Sequence, residues 1–427
     1  MVLVDRATRA GGSMVLPRHP RDAAETASTG TRAPSDDARP LRLAKFHVPE
    51  ILFGPGSLPE AVHAAVRLGA RRPMLVTDPG LRGAGWSDQL CTHLHAAGLA
   101  TTVWDGVTPN PKDHEIAAGH EAYLAQQCDV IIALGGGSVI DAAKGVALLA
   151  GNGGSILDYE GVDRMALPIP PLVMVPSTSG TGADVSQFCI VTDTQRNTKI
   201  TILGRALVPD VSVVDSQLLH TMPDWLNAAT GLDALTHGIE AFVSRAHNPL
   251  TDHHALQAIS LVGAHLERTM DHPGEEAART CMAQAALEAG LAFTNAILGA
   301  AHAMSHQVGG LLDLPHGVIN GVLLPHVIRF NAEPNPHRFV PIAQALGLPG
   351  GIAPDSTAGA AEAAEWAALE VRRLGDELGV PKGLGEIGVS EADVPLLSTM
   401  TLADACLSTN PREASQADIE TLFRAAL

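Results

Sequence analysis

The hydrophobic rhythm of the chain changes near residue 223. From about residue 45 to 222, short continuous apolar runs alternate with amphipathic stretches. Met74–Thr77, Thr101–Trp104, Val130–Leu134, Leu172–Val175, Phe188–Thr192 and Val211–Val214 predict strands, and 57–69, 85–97, 113–127 and 138–150 predict helices. Strands apolar on both faces, separated by helices, imply a parallel sheet covered on each side. Beyond 223 the strand signal stops, and helical periodicity predicts helices over 224–245, 251–270, 275–310, 318–331, 338–346, 355–378 and 415–426. The expected fold class is α/β: an N-terminal parallel-sheet dinucleotide-binding domain over 45–222, then an all-helical domain over 223–427. A cleft between the two is the natural ligand site. Residues 1–44 carry Arg, Pro, Ser, Thr, Asp and Gly without sustained periodicity. They read as a mostly disordered extension, or equally as the product of a start upstream of the true one.

Composition narrows the function class. Hydrophobic residues make up 46% and aromatics only 3%, so the core must be built from aliphatic and small side chains. A net charge of -18 argues against nucleic-acid or anionic-membrane partners, which need a basic surface. The five cysteines are scattered, with no Cys-x-x-Cys, which fits a reducing, cytoplasmic setting and no disulfide framework. No apolar run approaches the ~18 residues of a membrane span.

Candidate chemistry lies in both halves. Cys128–Lys144 runs an apolar strand into Gly135-Gly136-Gly137, with a helix expected from Ser138. Glycines let an anion approach the backbone, and a helix N-terminus offers free N–H groups. The turn is therefore either a pyrophosphate cradle or a tight turn without ligand. Ser138 and Asp141 have capping-box spacing. The acidic partner of a ribose diol is expected upstream, at Asp78 in Leu75–Pro79, unless Asp78-Pro79-Gly80 is a plain turn. There its charge would repel a 2′-phosphate and favour NAD over NADP. Pro176–Asp184, with Thr178, Ser179 and Thr181, suits a second cofactor wall or is simply a polar loop. Lys199 could reach a ribose or phosphate, or be solvated.

Asp233, His237, His302 and His316 read as one divalent-metal site. Asp233 and His237 lie four apart and share a helix face. His302 sits in a helix, and His316 follows Pro315 at a turn or helix start. Oxygen and imidazole ligands suit Fe, Zn, Mn or Co.

Together these segments resemble the iron-containing (group III) alcohol dehydrogenase family. The resemblance rests on Val76–Asp78, Thr108–Pro111, Gly135–Asp141, Pro176–Asp184, Gly231–Ser244, His302–His306, Leu314–Gly317 and Asn410–Arg412. It spans about residues 48–427, in order. It implies a dehydroquinate synthase-like architecture and Fe²⁺ on Asp233, His237, His302 and His316. It implies NAD contacts at Asp78, Asn110, Gly136, Gly137, Ser138, Thr178, Thr181 and Lys199. His306 would lie beside the nicotinamide and relay a proton, and a homodimer is expected. Iron suits the ligand count, because four protein ligands already complete zinc's tetrahedron; zinc remains a possible substitute. The expected reaction interconverts a small alcohol with its aldehyde or ketone by hydride transfer to or from NAD. Phe188 stands where some relatives carry a polar pocket residue, which hints at an apolar pocket shared with Phe293 and Cys406. The competing readings are a dehydroquinate synthase-like lyase, a maleylacetate reductase, a hydroxyacid-oxoacid transhydrogenase, or a non-enzymatic NAD- or metal-binding protein.

Overall fold

The computed structural model describes residues 45–350, 353 and 355–427. The expected extension, 1–44, lies outside the described residues. Residues 45–427 form one compact unit.

The strands are β1 (Glu50–Phe53), β2 (Met74–Val76), β3 (Thr102–Trp104), β4 (Ile131–Gly135), β5 (Gly161–Val162), β6 (Leu172–Pro176), β7 (Phe188–Asp193), β8 (Thr198–Leu203) and β9 (Val211–Val214). Between them run α1 (Glu60–Arg67), α2 (Pro79–Gly83), α3 (Trp86–Ala96), α4 (Asp113–Ala125) and α5 (Gly137–Asn152). The main sheet has the order β1-β9-β6-β4-β2-β3, and every pairing in it is parallel. Successive side chains of a strand point to opposite faces, so each central strand feeds two cores. Ile131 and Ala133 of β4 join Met74, Val76, Ile116 and Val146 on the α4/α5 side. Ile132 and Leu134 join Leu75, Ala61, Leu90 and Leu94 on the α1/α3 side. This is why β4 is apolar at consecutive positions. After β2 the chain moves outward to β3, then returns to the other side of β2 as β4. That reversal opens a crevice at the carboxyl ends of β2 and β4, the place where such sheets bind ligands.

One sheet expectation needs correction. The strand at Phe188 exists but lies outside the parallel sheet; β7 pairs antiparallel with β8 in a separate three-stranded sheet with β5. β8 itself was not expected, although Thr198–Leu203 alternates half-buried and buried positions in period two. β1, at the sheet edge, was also missed.

The second half consists of α6 (Asp224–Val243), α7 (Pro249–Asp271), α8 (Glu276–Ala296), α9 (Ala300–Leu312), α10 (His316–Ala332), α11 (Val340–Ala345), α12 (Thr357–Glu377), α13 (Val394–Ala403) and α14 (Gln416–Ala426). α13 was not expected. The single helix expected over 275–310 is two, α8 and α9, bent by 102°. Ile297 at the break has φ 60°. A β-branched residue there is strained, at a cost on the order of 1–3 kcal/mol. The apolar pattern runs straight through the break, so periodicity does not reveal it. Among the described residues, no single helix is long and apolar enough to cross a membrane.

Candidate metal and cofactor site

α6 is buried continuously from Asn227 to Val243, so its polar side chains must be satisfied inside the protein. Asp233, His237 and Glu240 are spaced four and three apart and share one face. That face meets α9, which brings His302, and α10, which brings His316 and Asn320. The ligand atoms of Asp233, His237 and His302 all lie within 4.8 Å of one another. Asp233 Oδ2 is 3.9 Å from His237 Nδ1, and Asp233 Oδ1 is 3.8 Å from His302 Nε2. These separations are too long for hydrogen bonds and leave room for a cation between the groups. His237 Nδ1 is buried without any hydrogen-bond partner.

Glu240 explains both the helix break and the setting of His302. Its carboxyl accepts from the N–H groups of Gly299 (3.0 Å), Ala301 (2.6 Å) and His302 (3.4 Å), capping α9, and pairs with His302 Nδ1 at 2.6 Å. With Nδ1 donating, Nε2 keeps its lone pair and faces Asp233. Asn320 Nδ2 donates to Asp233 Oδ1 (2.8 Å) and stands 3.3 Å from His302 Nε2. Burial lowers the pKa of His237 to about 4 and of His302 to about 3, and pushes His316 well down. All three imidazoles are therefore neutral at pH 7, with lone pairs available to a metal. Burial raises Glu240 to about 7, opposed by the backbone N–H groups of Ala301, Gly299 and His302.

His316, at the start of α10, stands outside the tight trio. Its ring centroid is 5.1 Å from that of His302, and Ser305 Oγ lies 3.1 Å from its Nδ1. His306 stacks on His316 at 5.1 Å and 17°. Its Nδ1 pairs with Asp404 Oδ2 at 2.9 Å, and Asp404 also accepts from the backbone N–H of Cys406 and from Gln307 Nε2.

On the sheet side, the Ser138–Asp141 capping box is not formed. α5 starts at Gly137, so Gly136 holds the cap position and no side chain caps the helix. Ser138 lies inside the helix, where its Oγ accepts from Asn110 N at 3.1 Å. Asp141 takes a backbone hydrogen bond from Ile190 instead, and burial raises it to about 7. A Cβ on Gly136 would sit 3.0 Å from Thr178 Cγ2, and one on Gly137 would sit 2.8 Å from Thr181 Cγ2. The glycines thus let the turn close onto the 176–184 loop. Thr178 Oγ1 and Ser179 Oγ are buried and unpartnered there. Uncapped N–H groups beside free hydroxyls form a ready anion cradle.

Asp78 lies two residues beyond β2, where its carboxylate caps α2 by accepting from Leu81 N at 3.0 Å. Lys199, on β8, is partly buried rather than free in solvent: burial lowers it to about 8, and Nζ donates to Asn110 Oδ1 at 2.8 Å. Asn110, at φ 55°, also donates to Asp313 Oδ1 at the end of α9.

One cleft unites most of these residues. Gly137, Ser138, Asp141, Thr181, Asn110 and Lys199 line one part; Asp233, His237, His302, His306 and His316 line another; Phe188, Phe293, Leu298 and Cys406 supply apolar wall. Asp78, Gly136, Thr178 and Ser179 stand outside the lining. Sequence reasoning gave no role to Glu240, Asn320, Asp404 or Lys144. Glu240 had a signal, being two helical turns from Asp233 on the same face. Lys144 is buried in α5 and donates to the carbonyls of Ala183, Ser186 and Phe188. Nothing local marks Asn320 or Asp404, which arrive from distant helices and loops.

Comparisons with known proteins agree with this geometry. The sequence model described as "Iron-containing alcohol dehydrogenase" matches residues 49–216, and "Fe-containing alcohol dehydrogenase family, C-terminal" matches 227–427. The chain is 41% identical over 390 residues to 1,3-propanediol dehydrogenase of Citrobacter freundii, covering 90% of this chain and 99% of that one. It is 36% identical over 382 residues to the NAD-dependent methanol dehydrogenase of Bacillus methanolicus, covering 90% and 99%. Among solved structures, a 1,3-propanediol oxidoreductase superposes with a TM-score of 0.86 at 40% identity, over 90% of this chain and 100% of the other. The chain belongs to the iron-containing alcohol dehydrogenase family and, as a member, interconverts alcohols and aldehydes.

Proposed function

We propose that the chain is a metal-dependent alcohol dehydrogenase that uses Fe²⁺ and NAD, with Asp233, His237, His302 and His316 holding the metal. The observation that carries the metal is the buried trio around the unpartnered His237 Nδ1. A buried carboxylate facing neutral imidazoles lacks a counter-charge, and a divalent cation supplies it. Glu240 presents His302 Nε2, as oriented second ligands commonly do. The family name of the matching sequence models supports iron.

Gly136, Gly137, Ser138, Thr178, Ser179 and Thr181 would take the dinucleotide pyrophosphate at the α5 N-terminus. Lys199 and Asn110 would face the ribose or phosphates, with Ser138 and Asp141 shaping that wall. Asp78 would accept the adenosine ribose hydroxyls and disfavour a 2′-phosphate. The methanol dehydrogenase relative is NAD-dependent by name, in keeping with this reading. When bound, the metal supplies a Lewis acid that makes the substrate hydroxyl more acidic, and the nicotinamide exchanges the hydride. His306 takes the released proton at Nε2, because Asp404 holds Nδ1 and stabilises the resulting imidazolium.

The test is NADH formation from a primary alcohol by anaerobically purified protein, before and after chelation. Turnover should vanish with the metal and return with Fe²⁺ more fully than with Zn²⁺. Full turnover in protein shown to be metal-free would refute the assignment.

A further inference from the structure

Beside the Asp233 cluster lies a second group of metal-binding side chains with a different donor chemistry. We propose that His306, Asp404 and Cys406 form a separate zinc site, and that zinc bound there blocks the proton transfer assigned to His306.

One ligand atom from each of the three residues lies within 4.8 Å of the other two. All three side chains are buried: His306 is 5% exposed, Cys406 1% and the Asp404 side chain 6%. His306 Nδ1 faces Asp404 Oδ2 at 2.9 Å. In a tetrahedral zinc site, bonds of about 2.0–2.3 Å hold the donor atoms about 3.3–3.8 Å apart. Small side-chain rotations therefore close the three donors on an ion. The carboxylate is already aimed: it accepts from Cys406 N at 2.9 Å and from Gln307 Nε2 at 3.2 Å, and outer hydrogen bonds of this kind orient metal ligands. His306 and Cys406 both line the cleft. The cleft gives the ion its entry path and supplies water as the fourth ligand.

The donor sets sort the metals. Asp233 and its histidines offer only oxygen and nitrogen. The second cluster adds a thiol, and thiolate favours zinc over Fe²⁺. Charge permits both ions at once. On coordination the thiol gives up its proton to solvent, so zinc with one thiolate and one carboxylate is neutral and adds no net charge beside the first cation. Zinc takes the Nδ1 lone pair of a neutral imidazole, which leaves the ring proton on Nε2. Nε2 then has no lone pair for the substrate's proton. The blocking half of the proposal rests on the role given to His306 above; the binding half stands apart from it.

The experiment adds zinc chloride to the iron-loaded enzyme under anaerobic conditions and removes loosely held zinc by gel filtration. It reads metal content, zinc X-ray absorption and NADH formation from a primary alcohol. The expected result is one zinc per chain with iron content unchanged, a sulfur neighbour about 2.3 Å from zinc, and turnover that falls in proportion to bound zinc. Cys406→Ala should lose the sulfur neighbour. Relative to its own zinc-free rate, it should need about tenfold more zinc or above for half-inhibition, since a direct ligand contributes at least as much as an outer partner. The nearly isosteric Cys406→Ser gives the same readouts where Cys406→Ala fails to fold. Zinc that replaces iron one for one, zinc with only oxygen and nitrogen neighbours, a sulfur neighbour that survives loss of Cys406, or no retained zinc would overturn the proposal. Zinc bound through Cys406 with full turnover would support the site and overturn the blocking, and with it the proton role of His306. Absence of turnover before zinc is added would overturn the alcohol dehydrogenase reading alone, because stoichiometry and the sulfur neighbour still report the site.

Discussion

Glu240→Gln is the substitution that most sharply separates a metal ligand set from a merely buried polar cluster. The change keeps the size of the side chain and removes its charge. In the native structure both carboxyl oxygens face donors: Oε1 takes Ala301 N, and Oε2 takes Gly299 N, His302 N and His302 Nδ1. A glutamine must point its NH₂ at one of these donors. If the NH₂ faces Ala301 N, the cap of α9 is lost. If it faces His302, the imidazole can relieve the clash by moving its proton to Nε2, and then the nitrogen facing Asp233 no longer offers a lone pair.

The first outcome costs stability, since hydrogen bonds to a charged acceptor contribute about 1.5–3 kcal/mol each. The second costs metal affinity, about 10- to 100-fold for lost orienting partners of this kind. The assay is titration of metal-free protein with Fe²⁺ or Zn²⁺ against a chelator of known affinity, paired with thermal melting of the metal-free form. Glu240→Gln should weaken metal binding at least tenfold while the protein still folds. Affinity within twofold of the unaltered protein, in a variant that melts normally, would show that Glu240 does not set His302 for a metal.

Three further outcomes follow from the same geometry. Asp404→Asn removes the charge facing His306 Nδ1 and should lower kcat about tenfold or more with little change in KM; kcat within twofold would mean the proton leaves by another route. His237 and His302 should add no proton competition to metal binding between pH 5 and 8, because at about 4 and about 3 they carry no proton there. Glu240, raised to about 7 by burial and paired with His302 Nδ1, is protonated in the metal-free form below that pH; a cation on His302 favours its anion, so binding releases that proton. Log affinity should then rise with pH by no more than about one unit per pH unit from 5 to 7 and flatten above; a slope of two or more would contradict the neutral-imidazole picture. Asp78→Ala should narrow the preference for NAD over NADP about tenfold or more in kcat/KM ratio, and an unchanged ratio would leave Asp78 as the cap of α2 alone.

The sequence was most readable where one physical constraint acts locally. β4 is apolar at every position because it is buried on both faces, and the glycines after it are needed for close approach to Thr178 and Thr181. Asp233 and His237 share a helix face by spacing alone. The reading failed where geometry is set by distant residues. The α8–α9 break is invisible in periodicity because its cause, Glu240, is a carboxylate reaching across from α6. Ser138 was assigned a capping role because it is a good N-cap residue; the helix begins one residue earlier, at a glycine, and leaves its N–H groups free. Phe188 was placed in the wrong sheet because an apolar run gives no strand direction, and its partner β8 contains Lys199 and Thr201, which dilute the apolar signal. Asp404 and Asn320 become legible only when α9, α10 and the segment after α13 are brought together.

The central claim is that one divalent cation sits among Asp233, His237, His302 and His316. Anomalous diffraction from crystals of anaerobically prepared enzyme, recorded on both sides of the iron absorption edge, tests it most directly. The account predicts a single strong iron peak in contact with those four side chains. A peak at the neighbouring His306–Asp404–Cys406 cluster instead, or no peak in crystals of catalytically active protein, would contradict it.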